Sequence, residues 1–269
     1  MDLFDQALKI SMLGLDEGSV QGMNKLIWQQ DFTDSRTDLS AWNIRLGNDL
    51  LDNDGKPIHP GWGNGEQQYY RGDAKNLYID ESGLNLCARR EPIETDDGRS
   101  FVYTSARLDT KDHFSYQYGK LVIRAKLPVG QGLWPAIWLL PQEQAYGPWP
   151  ASGEIDIMEA RGRLPRQVSG TLHYGKDWDH KKLDEYSYQL EDGTIDQFRD
   201  YTLEWNESSI RWLVDGHCFA ERTMEPDMPF DKSFYLVLNL AVGGWYDTVA
   251  IDEAALPAVM TVSGIWLYK

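Results

Sequence analysis

The stretch GEIDIMEARG, residues 153–162, combines the apolar pattern of a buried β-strand with three carboxylates. Side chains alternate between the two faces of a strand, so Glu154 and Asp156 share one face. In a regular strand, Glu159 would lie on the opposite face, with the two isoleucines of the stretch, and would point into the core. A carboxylate in that position is costly unless it has a partner or a proton.

A β-bulge at Ile157–Met158 would resolve this conflict, because one extra residue reverses the alternation and turns Glu159 to the face of Glu154 and Asp156. Carboxylates in a row raise one another's pKa, so one can stay protonated near neutral pH while another is ionised. Glycoside hydrolysis needs this division between an acid and a nucleophile or base. A charged edge strand and a calcium-binding cluster are the alternative interpretations. The Trp-rich runs around the strand favour catalysis.

Short strand-like runs, separated by Gly, Asp, Asn and Pro, extend along the chain on both sides of this stretch and recur roughly every 10–15 residues. Apolar residues alternate in residues 119–127, and Asp215–Gly216 is a two-residue hairpin signal. The pattern predicts an all-β fold, an antiparallel β-sandwich (jelly roll) with a concave substrate cleft, rather than βαβ units. We expect residues 25–269 to form a single catalytic domain and residues 1–24 to be an N-terminal extension.

The charge balance argues against several classes of partner. The 269-residue chain has 26 Lys and Arg against 42 Asp and Glu, a formal net charge of −16. Such a charge repels nucleic acid and anionic membrane surfaces, and no apolar run approaches the length of a transmembrane span. We expect no nucleic acid or membrane partner, and a monomer.

Cysteines and the N-terminus bear on the compartment. Cys87 and Cys218 have no metal-binding spacing, so unpaired thiols are expected, with one disulfide as the alternative. The N-terminus lacks the basic region and the continuous apolar core of a signal peptide. We expect a secreted or periplasmic protein if a signal was removed, with a cytoplasmic protein as the alternative.

The acidic strand and its surroundings resemble family 16 of the glycoside hydrolases, in the laminarinase-like endo-1,3-β-glucanase form. Residues 154–159 match the motif E-x-D-x-x-E, whereas lichenases of the family lack the extra residue. Further matches follow in order and cover most of the chain. They are GWGNGEQQYY (61–70), YTSARL (103–108), YGKLVIRAKLP (118–128), GLWPAIWLLP (132–141), GTLHY (170–174), EW (204–205), VDG (214–216) and LNLAVGG (238–244).

The resemblance implies roles for the three carboxylates in a retaining double displacement on laminarin-type β-glucans. Glu154 would be the nucleophile, and Glu159 the general acid that then acts as the base. Asp156 would assist by hydrogen-bonding the nucleophile. Retention requires the two reacting carboxyl groups to lie about 5–5.5 Å apart.

The resemblance also implies a substrate-binding set around the carboxylates. Its members are Asn64, Glu66, Arg107, Trp134, Trp138, His173 and Trp245. Trp134 and Trp138 lie four residues apart in one strand-like run and so share a face, where they would wall the sugar site. Two core tryptophans are the alternative. Arg107 would bind sugar hydroxyls, and His173 would hydrogen-bond substrate or Asp156. Trp62, Trp149 and Trp245 lie in loops and are candidates for outer subsites.

Many members of the family hold a structural calcium with an acidic residue near each end of the chain. Asp31 could fill the first position, but Ser263 stands where an Asp is usual. We therefore expect no cofactor and no bound metal, with a structural calcium in the Asp31 and Ser263 region as the alternative.

Other functions stay open on the same fold, because loops select the substrate. Within the family these are a mixed-linkage β-1,3-1,4-glucanase, an agarase and a transglycosylase. A non-catalytic β-glucan-binding module and a calcium-binding adhesion sandwich belong to different classes. The presence of both Glu154 and Glu159 argues against the module, and the Trp-rich motifs argue against the adhesion protein. The expected partner is a β-glucan polysaccharide.

Overall fold

A computed structural model describes residues 23–52 and 55–269, which are almost entirely β-strands joined by short turns. Most of the predicted extension, residues 1–22, lies outside the described residues. The strands are β1 (Leu26–Asp31), β2 (Asn43–Arg45), β3 (Asp49–Leu51), β4 (Pro57–Pro60), β5 (Gln68–Tyr70), β6 (Leu77–Asp80), β7 (Gly83–Glu94), β8 (Ser100–Ser105), β9 (Arg107–Asp109), β10 (Ser115–Tyr116), β11 (Gly119–Lys126), β12 (Leu133–Pro141), β13 (Glu154–Glu159), β14 (Gln167–Gly175), β15 (Lys181–Gln189), β16 (Arg199–Trp205), β17 (Ser209–Val214), β18 (His217–Thr223), β19 (Phe234–Val242) and β20 (Ala258–Tyr268). Three short 3₁₀ turns are also present, at Gly61–Gly63, Trp178–His180 and Glu253–Ala255.

Two large sheets account for most of the strands. The 10-stranded sheet has the order β18-β17-β16-β11-β20-β7-β8-β5, with β1 beside β20 and β6 beside β7. The 8-stranded sheet has the order β15-β14-β13-β12-β19-β9-β2, with β10 beside β19. Strands β3 and β4 form a separate hairpin. Among the described strands only β5 and β8 pair in parallel. The predicted all-β, antiparallel jelly-roll sandwich is confirmed.

The hydrophobic core lies between the two large sheets. Strand β19 is buried along its whole length, as expected for an inner strand covered on both faces. In β11, buried side chains alternate with partly or fully exposed ones, which is the pattern of a strand with one face on the core. One cluster of buried apolar side chains extends from Phe32 to Leu267 in the sequence.

Two local predictions are confirmed. Asp215 and Gly216 join β17 to β18 with positive φ angles of 50° and 82°, as a two-residue hairpin turn requires. Cys87 and Cys218 are both free thiols. None of the helical turns in residues 23–52 and 55–269 is long enough to cross a bilayer.

Asp31 and Ser263, the residues considered for calcium, lie close together, because Asp31 pairs with the neighbouring Gly264. Carboxylate oxygen Oδ1 of Asp31 accepts hydrogen bonds from the backbone N–H and the hydroxyl of Thr33, at 2.9 and 2.7 Å. The Ser263 hydroxyl donates to the carbonyl of Arg124 at 3.3 Å. Both polar side chains have local protein partners, and the absence of calcium here stays a prediction.

Candidate active site

The predicted β-bulge at residues 157–158 is present in β13. Three residue steps on β13, from Asp156 to Glu159, oppose only two steps on β14, from Thr171 to Ser169. The pairing of β13 with β12 shifts at the same place. The extra residue therefore reverses the alternation beyond Asp156.

The bulge removes Glu159 from the core face. Ile157 and Met158, which would face opposite ways in a regular strand, both pack in the core. The Glu159 carboxylate accepts hydrogen bonds from the indole N–H of Trp134 at 3.0 Å and from the hydroxyl of Thr171 at 3.4 Å. Glu159 is 8% exposed, so its carboxyl group is shielded from most of the solvent.

Glu154, Asp156 and Glu159 form a row of carboxyl groups along β13. At the end opposite Glu159, Glu154 Oε2 accepts a hydrogen bond from the indole N–H of Trp149 at 2.7 Å. His173 Nε2 lies 3.9 Å from Glu154 Oε1 and 3.2 Å from Asp156 Oδ2. His173 thus lies beside Asp156, one of the two positions expected for it. Asp156 Oδ2 is buried, and no neighbouring donor meets the geometric requirements of a hydrogen bond to it.

Burial raises the pKa of all three carboxyl groups. For Glu154 burial and then the charge of Asp156 raise the pKa to about 7. Burial is also the main cause of the raised pKa of Asp156. For Glu159 burial and then the charge of Asp156 hold the pKa well above its ordinary value. Acids this close share their protons, so near neutral pH the row holds protonated and ionised carboxyls together. This is the combination that acid-assisted nucleophilic attack requires.

Glu154, Asp156 and His173 also form a group that could hold a cation, because their ligand atoms all lie within 4.8 Å of one another. It is the one such group in the described part of the chain. One Glu154 oxygen already accepts the Trp149 indole N–H, which does not favour a metal at that oxygen. The absence of a metal stays a prediction.

Trp134 and Trp138 are both partly buried on the same face of β12, as predicted. The indole N–H of Trp138 donates to Asn239 Oδ1 at 2.7 Å. Asn239 Nδ2 donates to the hydroxyl of Tyr70 at 3.2 Å, and that hydroxyl donates to Glu66 Oε2 at 2.7 Å. A chain of buried hydrogen bonds therefore runs from Glu66 to the Trp138 ring.

Glu66 accepts the last of these hydrogen bonds at their buried end and is not an exposed sugar ligand. It is 5% exposed. Its carboxylate accepts hydrogen bonds from Gln68 at 2.6 Å, from Tyr70 at 2.7 Å and from Asn64 at 3.2 Å. The Glu66 carboxylate is therefore occupied by donors of the protein, whereas a substrate contact of the partly exposed Asn64 stays a prediction.

Arg107 lies beneath the aromatic side chains. It is 6% exposed, and its guanidinium carbon lies 4.1 Å from the centre of the Trp62 ring and 4.8 Å from that of Trp138. Trp62 is 8% exposed and meets the Tyr70 ring edge-on. The prediction that Trp62 forms an outer stacking surface is not supported, because Arg107 covers one face of the ring. Arg107 Nε is itself buried and has no hydrogen-bond partner among the described residues, so the binding of a sugar hydroxyl by Arg107 stays a prediction.

The two other loop tryptophans are better placed to contact a polysaccharide. Trp245 is 63% exposed, and its backbone N–H donates to the carbonyl of Asn64 at 2.8 Å. Trp149 lies directly beside Glu154 and not at an outer position. The ring of Trp178, 59% exposed, lies 5.2 Å from that of Trp149 and extends the aromatic surface outward.

Sequence reasoning missed Tyr246, Trp178 and Asn239. Tyr246 stacks on Trp134 with ring centres 5.2 Å apart, and its hydroxyl shares a hydrogen bond of 2.5 Å with Ser169. Its position next to Trp245 in the sequence was a signal that could have identified it. Asn239 lies within the family-like run 238–244, but no local pattern indicates its hydrogen bond to Trp138, which is 101 residues away in the chain.

Comparison with known proteins agrees with this geometry. Residues 56–255 match the family described as Glycosyl hydrolases family 16. The chain is 40% identical over 283 residues to Glucan endo-1,3-beta-glucosidase A1 of Niallia circulans, an alignment that covers 100% of this chain and 41% of that longer protein. It is 38% identical to a Beta-glucanase of Rhodothermus marinus, over 96% of this chain and 90% of that one. The crystal structure of the laminarinase catalytic domain from Thermotoga maritima superposes with a TM-score of 0.79 at 36% identity, covering 91% of this chain and 98% of that chain.

Proposed function

Because the chain belongs to family 16 of the glycosyl hydrolases, we propose that it is a retaining endo-β-1,3-glucanase that hydrolyses laminarin-type β-glucans by double displacement. The observation that carries this proposal is the bulge in β13, which brings Glu154, Asp156 and Glu159 to one face. The name of the Niallia circulans relative supports the 1,3-linkage, and the name of the Thermotoga maritima relative supports laminarin as the substrate.

In the first step, the ionised Glu154 attacks the anomeric carbon of the bound glucan. A bond forms between a Glu154 carboxylate oxygen and that carbon while the glycosidic C–O bond breaks. Glu159 gives its proton to the leaving oxygen, so the departing sugar leaves as a neutral alcohol. The indole N–H of Trp149 stabilises the ionised form of Glu154, and burial keeps the proton on Glu159.

In the second step, the ionised Glu159 takes a proton from water, and the water oxygen bonds to the anomeric carbon. The bond to Glu154 breaks, and the carboxylate is restored. Two inversions give net retention. Asp156 lies between the two glutamates, and its charge raises the pKa of both, so it favours the return of a proton to the acid.

The aromatic side chains supply binding and orientation. Pyranose rings present C–H faces that pack on indole and phenol rings. Trp134 also donates its N–H to Glu159, so the same side chain could contact a sugar and hold the acid. Tyr246 fixes the Trp134 ring from the other side by stacking.

Incubation with laminarin and with barley β-glucan, followed by assay of reducing ends, tests the proposal. We expect release from laminarin by the wild type and none by Glu154→Ser. Release from barley β-glucan alone would indicate a mixed-linkage enzyme instead, and release from neither would contradict a glucanase and favour a binding module. Proton NMR of the earliest products should show the β-anomer, and an α-anomer would contradict retention.

A further inference from the structure

The backbone carbonyl of Asp156, immediately before the bulge, accepts a hydrogen bond from the other sheet. Its donor is the indole N–H of Trp212 in β17, at 2.8 Å. Trp212 is fully buried. The bond therefore joins the two layers of the sandwich directly beneath the carboxylate row.

Gly170 provides the space that this bond requires. It lies on β14, between the two residues that pair across the bulge. A Cβ atom at Gly170 would lie 2.3 Å from Trp212 Cδ1 and 2.6 Å from its Nε1. Any side chain at this position would therefore displace the indole from the Asp156 carbonyl.

A bulge in a strand can in principle form at neighbouring positions, and each one-residue shift turns the intervening side chain to the other face. A hydrogen bond to one particular carbonyl selects one of these arrangements, because a buried carbonyl without a donor is unfavourable. The Trp212 bond selects the arrangement in which the alternation reverses after Asp156 and before Glu159.

We propose that Trp212, admitted by Gly170, is a positioning residue for catalysis: its indole N–H fixes the bulge and thereby the placement of Glu159 relative to Glu154. The inference rests on the proposed glucanase function. It assigns to a core side chain of the opposite sheet a role in the reaction beyond packing.

The chain offers a matched control in Trp205. It is also fully buried, and its indole N–H also donates to a backbone carbonyl, that of Phe230, at 3.1 Å. Trp212→Phe and Trp205→Phe therefore each remove a buried indole N–H that donates to a backbone carbonyl. Only the carbonyl that Trp212 binds lies next to the bulge.

We expect Trp212→Phe to lower kcat on laminarin about tenfold or more with little change in KM, because the acid is misplaced while the aromatic binding surface stays. Tenfold corresponds to about 1.4 kcal/mol of transition-state stabilisation. Trp205→Phe should keep both constants within about twofold. Thermal unfolding of both variants separates this effect from a loss of folded protein.

The pH profile supplies a readout that packing alone would not change. The titratable groups that face Glu159 are Glu154 and Asp156 on β13, His173 on β14 and Tyr246 after β19. A shifted bulge turns Glu159 from the carboxylate row toward the core, where deeper burial should raise its pKa further, so the alkaline limb of kcat should move to higher pH in Trp212→Phe. The limb should not move in Trp205→Phe.

Gly170→Ala provides a second test, because it keeps the indole N–H but displaces it. Its control is Gly264→Ala, at another glycine that makes room for an indole, that of Trp266. Only Gly170→Ala should reproduce the lower kcat and the shifted limb, and this pair decides the matter if Trp212→Phe does not fold.

A wild type active on laminarin, with kcat and pH profile unchanged in folded Trp212→Phe or Gly170→Ala, would overturn the positioning role alone. A wild type inactive on every β-glucan would overturn the proposed function, and the positioning role with it.

Discussion

One buried carboxylate, Glu66, and a row of three buried carboxyl groups on β13 lie close to Trp138, and they differ in the number of hydrogen-bond donors for each carboxyl group. Glu66 accepts from three side chains and supports the Trp138 ring through Tyr70 and Asn239. In the row of β13, by contrast, Glu154 accepts one short bond from Trp149, and Glu159 accepts one from Trp134 and a longer one from Thr171. Buried Asp156 Oδ2 accepts none of acceptable geometry.

Burial alone therefore does not identify a reactive carboxyl group. Donors stabilise a buried carboxylate and fix it in place, which suits a structural support. A buried carboxyl with few donors and with acidic neighbours holds its proton more tightly, which suits proton transfer. The two groups can be separated experimentally by the same substitution, Glu to Gln.

The largest expected effect is on the rate. Glu154→Gln and Glu159→Gln should each lower kcat on laminarin about 10³-fold or more, because one removes the nucleophile and the other the proton donor. Glu66→Gln should lower it less than about tenfold per folded molecule. The assay is reducing-end release at saturating substrate. Comparable losses of kcat in all three variants would contradict the distinction between Glu66 as a structural support and Glu154 and Glu159 as reacting groups.

Asp156→Asn should have a smaller effect, a fall in kcat of about 10- to 100-fold. The charge of Asp156 raises the pKa of both glutamates, so its removal should lower both. Both limbs of the pH–rate profile should therefore move to lower pH. A profile that keeps its position would mean that Asp156 does not set the proton distribution.

Stability should change in opposite directions in the two groups. The pKa of Glu154 is about 7 in the folded protein, above its ordinary value of 4.5, so the folded state binds the proton more tightly. The free energy of unfolding should therefore fall as pH rises from about 4.5 to about 7 and then level off. Glu154→Gln removes this dependence and should stabilise the protein by about 1–3 kcal/mol at pH 8 and much less at pH 5.

Glu66→Gln should instead destabilise the protein by about 1–3 kcal/mol at both pH values, because it places an amide N–H₂ against side-chain donors. Urea unfolding at pH 5 and pH 8 measures both variants. Destabilisation by Glu154→Gln at pH 8 would mean that the ionised carboxylate of Glu154 is stabilised by hydrogen bonds more strongly than its contacts indicate.

The smallest expected effect is on KM, and it should distinguish an exposed indole from a covered one. Trp245→Ala should raise KM about 3- to 10-fold with kcat nearly unchanged, because it removes a solvent-facing stacking surface. Trp62→Ala, at a ring covered by Arg107, should mainly lower the melting temperature. An unchanged KM in Trp245→Ala would exclude this ring from substrate binding.

Local patterns in the sequence were sufficient to predict the all-β class, the Asp215–Gly216 hairpin and the bulge, but they did not identify every strand, β15 among them. The bulge could be predicted because alternation and the cost of a core carboxylate both act within six residues. Trp62 was misplaced because its burial depends on Arg107, a residue of another strand. The donors to Glu66 lie within four residues of it, but the sequence does not show that the loop folds back to bring them to its carboxylate. The bond from Trp212 to Asp156 joins residues 56 apart, and no local signal indicates it.

The bulge in β13 also makes the length of this strand adjustable during evolution. Loss of one codon, for Ile157 or Met158, would give a regular strand of five residues in which all three carboxylates still share a face, since they would then alternate with single apolar residues. Loss of a codon between Glu154 and Asp156 would instead turn the nucleophile toward the core. The strand thus contains one place where a deletion can change the spacing of the reacting groups while their orientation is kept.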